Sequence, residues 1–118
     1  MNSVLLVFLG GGVGSALRYG AGLAVASTTF PYATFAVNAI GSLAIGLFGG
    51  WAARFGWSEA LRLSLTVGLC GGFTTFSTFS KESLALIESG RYGLFVLYVA
   101  GGIALGISSA AFGFWMVK

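Results

Sequence analysis

Apolar residues run along this chain in four long blocks rather than in strict alternation. The first extends from about Ser3 to Ala26, the second from about Tyr32 to Ala53, the third from about Glu59 to Glu88, and the fourth from about Arg91 to Val117. Each reaches or exceeds the ~20 residues that cross a hydrocarbon core as a helix. The pattern predicts an all-α integral membrane protein with four transmembrane helices. The third block is unlike the others. Its middle, GLCGGFTTFSTFSKE at residues 68–82, is crowded with glycines and hydroxyls and ends in a Lys-Glu pair. Gly71-Gly72 weakens a helix interior. Thr74, Thr75, Ser77, Thr78 and Ser80 can bond to backbone groups set loose nearby. A broken helix at membrane depth persists only where it is buried in protein or lines a wet cavity. The third helix is therefore expected to break near its middle, with a kinked helix of back-bonded hydroxyls as the plainer outcome.

The connections carry matching punctuation. STTFPY holds the single proline, ARFGWSEALR holds Trp57 and two arginines, and ESGRYG flanks Arg91 and Tyr92 with glycines. Trp51, Trp57, Tyr32, Tyr92 and Trp115 fall near block ends, where amphipathic rings favour the membrane interface. Four spans put both termini on one side, with Arg54, Arg62 and Lys118, and leave Arg91 on the other. The cation bias favours cytoplasmic termini, yet it is weak enough to leave both orientations open. No basic start with a small-residue cleavage site precedes the first block, so that block is expected to be retained.

Composition agrees and narrows the classes. The 118 residues are 57% hydrophobic and 8% charged, against roughly 25% charged in soluble domains. No linker or convincing repeat divides residues 1–118, which read as a single transmembrane domain. The net charge of +3 is scattered and small, which argues against nucleic acid as a partner and leaves the lipid bilayer as the surrounding medium. A single cysteine, Cys70, and no histidine exclude an internal disulfide and a histidine metal site. The run VLLVFLGGGVGSALR imitates a dinucleotide fingerprint but places Leu17 or Ser15 where the third small residue belongs. No aspartate exists for a Ser-His-Asp triad, and Glu59, Glu82 and Glu88 form no spaced pair within a span. The chain reads as a non-enzyme.

Three features carry candidate chemistry. Arg18 lies well inside the first block, where it either snorkels to the interface or lends positive charge to a vestibule. Asn38 heads a stripe, Asn38, Ser42, Gly46, Gly50, along one side of the second helix. Its amide serves either as interhelical glue or as a donor to a permeating anion. Gly10 and Gly14, and Gly102 and Gly106, share the small-xxx-small spacing that lets helix backbones approach. Phe73, Phe76 and Phe79 recur every third residue. They can face the core, or turn their positive edges to an anion path, where sites must hold an ion yet release it.

GGGVGSALRY (10–19), TFAVNAIGSLAIG (34–46) and GLCGGFTTFSTFSKE (68–82) together resemble the fluoride channel family known as CrcB or Fluc, and the resemblance covers essentially the whole chain. The third motif is highly specific. The resemblance implies an antiparallel dimer of four-helix subunits with two pores. It also implies passive export of fluoride from the cytoplasm across the cell inner membrane, relieving fluoride toxicity. It places Asn38 at the pore, makes Phe76 and Phe79 an aromatic track, and gives the backbone carbonyls of Gly71 and Thr74 to a structural sodium ion, Na+, at the dimer interface. Thr34, Tyr98, Arg18 and Glu82 match further pore-region positions of the family.

One departure stands out. Polar residues common on the family's fourth helix are replaced here, after Tyr98, by Gly102 and Gly106. Since some members pair non-identical subunits, the partner is a second copy or a paralogous subunit. Lys81, beside Glu82, has no assigned role. The alternative reading is a small four-helix multidrug or cation exporter of the small multidrug resistance type. That reading requires a titratable intramembrane carboxylate, and the first block has none. A non-transporting membrane scaffold would leave the hydroxyl-aromatic segment unexplained.

Overall fold

The computed structural model describes residues 2–25 and 29–117. Among them only helices and turns occur. Helix α1, Ser3–Ala24, starts where the Asn2 side chain accepts the Val4 N–H at 2.7 Å. Its end expected at Ala26, and the terminal Lys118, lie outside the described residues. Helix α2, Tyr32–Phe55, follows Pro31, whose ring suits a helix start. It stops at Gly56, whose φ of 61° is a left-handed conformation that closes helices and suits glycine.

The third block is built in pieces. Helix α3, Glu59–Leu63, is capped by Ser58, whose hydroxyl accepts the Leu61 N–H at 3.2 Å. It runs into a π-helical stretch, Ser64–Cys70, and then a single turn, α4, Gly71–Phe73. Thr74 leaves helical geometry with φ −84° and ψ 159°, and helix α5 begins at Ser77 and runs to Glu88. A turn at Gly90, φ 75°, leads to α6, Tyr92–Val117. Helices α1, α2 and α6 are each long and apolar enough to cross a membrane. The molecule is 48 Å along its longest axis, close to a bilayer with its headgroup layers.

The helices assemble as two close pairs joined by the interrupted segment. In one, α1 lies against the π-helical stretch and α4. A methyl at Gly10 would meet the Ser64 carbonyl oxygen at 2.5 Å, and one at Gly14 would run into the Leu69 carbonyl. Gly72 is equally close to the backbone of Gly11. In the other pair α2 packs along α6. Gly46 sits against the Ala110 carbonyl, and a methyl at Gly113 would meet the Leu43 carbonyl at 2.5 Å. Without hydrophobic pressure between helices in lipid, such backbone approach is what packing can exploit. The outward faces are apolar, with Val4, Phe8, Leu23, Ile107 and Trp115 exposed.

The glycines of α1 supply a matched test. Gly14→Ala is expected to destabilise the protein by about 1–3 kcal/mol, because backbone rather than a movable side chain occupies the space. Gly20→Ala, with nothing within 4 Å of the added methyl, is expected to leave stability unchanged or to raise it by up to about 1 kcal/mol through helix propensity. Thermal unfolding in detergent measures both, and equal effects would contradict the α1 packing described.

Candidate functional site

A chain that leaves helical geometry frees backbone groups that need partners, so the segment Thr74–Phe76 between α4 and α5 shows what the surrounding residues must do. The N–H and C=O of Thr75 are both taken by one side chain. Asn38 accepts the Thr75 N–H through Oδ1 at 2.9 Å and donates to the Thr75 carbonyl through Nδ2 at 3.1 Å. Thr75 in turn offers its Oγ1 to the Thr78 N–H at 3.2 Å, capping the start of α5. On the other side of the break, Thr74 closes α4 twice. Both its N–H and its hydroxyl donate to the Cys70 carbonyl, each at 2.9 Å. Arg18 reaches from α1 to donate Nε–H to the Gly72 carbonyl at 3.2 Å.

These bonds divert two helical donors. In an unbroken helix the Thr75 N–H would serve the Gly71 carbonyl and the Thr78 N–H the Thr74 carbonyl. Here Asn38 and the Thr75 hydroxyl take them instead. Among the described residues, the Gly71 and Thr74 carbonyls have no hydrogen-bond donor. Two bare carbonyls at an unwound helix are the kind of donor set that suits a hard monovalent cation. No grouping of three or more His, Cys, Asp or Glu residues competes for a metal among the described residues.

Two cavities flank the break. One, a groove of about 340 Å³, includes Asn38, Gly71, Thr74, Phe76, Phe79 and Tyr98 in its lining. The second, of about 350 Å³, is lined in part by Arg18, Thr34 and Glu82. Thr75 lines both. The site residues expected from the sequence thus separate into two groups on either side of Thr75. Phe76 is 79% exposed and Tyr98 fully buried, with Phe79 between them. Ring centroids lie 5.9 Å apart from Phe76 to Phe79 and 5.0 Å from Phe79 to Tyr98. The aromatic row therefore runs from the open side of the groove to its inner wall. Tyr98 donates its hydroxyl to Glu82 at 3.1 Å, linking the wall of one cavity to the wall of the other.

Gly102 and Gly106 of α6 behave unlike Gly10 and Gly14 of α1. A methyl at Gly102 would meet the Phe79 ring at 3.3 Å, and one at Gly106 the Ser42 hydroxyl at 3.5 Å, and both glycines line the groove. They leave space rather than close it. Lys81 is exposed on α5. Cys70 is buried beside the break. Thr75 and the Gly72 carbonyl were not foreseen as partners of Asn38 and Arg18, because a peptide group carries no residue-type signal.

A family model described as CrcB-like protein, Camphor Resistance (CrcB), matches residues 5–114. The chain belongs to the CrcB family. Its relatives include a protein of Phocaeicola vulgatus named fluoride-specific ion channel FluC, 50% identical over 119 residues, covering 98% of each chain. A Methylobacterium protein of the same name is 49% identical over 121 residues, covering 100% of this chain and 98% of its own. One from Bacteroides fragilis is 50% identical over 113 residues, covering 91% of this chain and 89% of its own. Family membership and the three long apolar helices make this a multi-pass membrane protein.

The capping of α5 is testable alone. Thr75→Val removes the acceptor of the Thr78 N–H and is expected to cost about 1 kcal/mol, whereas Thr75→Ser keeps it. Denaturation in micelles should separate the two variants. Equal losses would show that the hydroxyl does not cap.

Proposed function

We propose that this CrcB-family protein is a passive channel for fluoride, exporting it from the cytoplasm across the inner membrane. The observation that carries the reading is the interrupted third block, where Asn38, bonded to Thr75, lies beside the Phe76–Phe79–Tyr98 row in one groove. Similarity to channels named fluoride-specific supports the choice of ion. In this reading fluoride enters past Arg18, Thr34 and Glu82. It then exchanges part of its water for the Asn38 amide, nearby hydroxyls and the positive edges of Phe76 and Phe79. No single one of these is a full cation, so the ion is held loosely enough to leave.

The reading extends to assembly. Two oppositely oriented copies would cover the open groove, with Phe76 of each turned to the shared interface. A sodium ion held by the Gly71 and Thr74 carbonyls would join the copies there and stay in place while the anion moves. A paralogous subunit in place of the second copy is the alternative, and would supply polar groups opposite Gly102 and Gly106. A coupled cation exporter is disfavoured because Glu82, the carboxylate near the break, is engaged by Tyr98.

Fluoride-electrode recordings from liposomes holding only this purified chain test function and self-sufficiency together. Phe79→Ile and Asn38→Asp are each expected to slow efflux by roughly tenfold or more while the size-exclusion profile stays that of the parent. Unchanged efflux in both variants would remove the pore assignment. Cells lacking their own fluoride defence should regain fluoride tolerance, not cation-drug tolerance, when they make this chain. Replacing sodium with a bulky organic cation should lower the melting temperature, since a ligand bound only to the folded state stabilises it. An unchanged melting temperature would remove the sodium.

A further inference from the structure

An asparagine amide offers two N–H donors and one carbonyl oxygen, and its two ends differ little in shape. An unconstrained amide beside a passing anion would therefore flip between orientations, presenting first donor, then acceptor. The Thr75 peptide removes that freedom. Its N–H can only donate and meets Oδ1 at 2.9 Å, and its carbonyl can only accept and meets Nδ2 at 3.1 Å. Turning the amide over would set donor against donor and acceptor against acceptor. Both bonds would be lost in surroundings where water replaces them poorly. One Nδ2–H remains, on the edge turned away from Thr75, and Asn38 lines the groove beside Phe76 and Phe79.

We propose that the main chain of Thr75 is a positioning element, which locks the Asn38 side chain so that a single oriented N–H faces the groove. The inference rests on the reading of that groove as an anion path. It assigns Thr75 a part its side chain alone would not reveal, and it counts the asparagine's contribution to the ion as one donor rather than two. It also fits the position of the break opposite Asn38: a residue outside helical geometry can offer its own N–H and C=O together to one amide, which a residue within a helix cannot.

The chain has two asparagines, Asn2 and Asn38, so selective ¹⁵N labelling of asparagine yields two side-chain amide pairs. In full-length protein in nanodiscs, the Asn38 pair should be unequal. One proton should exchange with solvent about tenfold slower than the other and stay put on titration with sodium fluoride. The other should shift with fluoride and not with chloride. Like exchange rates for the two protons, joint movement of both, or movement of neither would overturn the proposal. A second arm replaces Thr75 by its α-hydroxy acid, which exchanges the N–H for an oxygen and keeps the side chain. The Thr75 carbonyl remains to hold Nδ2, so the difference in exchange between the two Asn38 protons should narrow without vanishing, and fluoride efflux should fall severalfold; a parental exchange difference or parental efflux would overturn the proposal. If the unmodified chain carries no fluoride, the channel reading fails, and the exchange asymmetry still decides the lock by itself.

Discussion

The structure depends on satisfying the backbone groups left free where the third block leaves helical geometry between α4 and α5. A peptide group left unpaired in hydrocarbon costs several kcal/mol, and the interruption at Thr74–Phe76 would strand more than one. The chain answers with side chains aimed from three directions. Asn38 comes from α2, Arg18 from α1, and Thr74 and Thr75 turn back on their own segment. Every one of these is a donor, an acceptor or both, and Asn38 and Arg18 lie in stretches otherwise given to apolar packing. The two carbonyls left over, Gly71 and Thr74, are then a consequence of the same accounting and not an oversight of it.

Holding the break fixed lets the rest of the molecule be plain. Close glycine contacts bring α1 onto the third block and α2 onto α6, so both pairs meet backbone to backbone. Between them the walls stay apart, and the groove follows from that separation. Small residues therefore serve two opposite ends in one chain: at Gly14 and Gly46 they let main chains meet, at Gly102 and Gly106 they keep a floor low.

That duality marks how far residue order could be read. Three of the four expected spans, α1, α2 and α6, and the unusual middle of the third block were legible, because hydropathy and helix-breaking residues are local signals. Gly10 with Gly14 and Gly102 with Gly106 share one spacing yet have different fates, since spacing does not say what lies opposite. Asn38 was marked as a polar residue needing partners, but its partner 37 residues along is a peptide group, and peptide groups look alike in every sequence. Arg18 was left between interface and vestibule, and its contact is a carbonyl that α1 alone could not disclose. The π-helical turns of Ser64–Cys70 have no composition of their own.

Those turns bear on the geometry beyond them. A π-helix winds more loosely than an α-helix, because each N–H reaches back five residues instead of four. Residues that follow it are consequently rotated about the axis relative to where ordinary winding would leave them. Seven residues of this kind precede Gly71, so the azimuth of Thr75 is set upstream, by how the segment coils against α1. Tightening by even one residue would swing the peptide of Thr75 away from α2, and the alignment with Asn38 would be lost without any change at either residue.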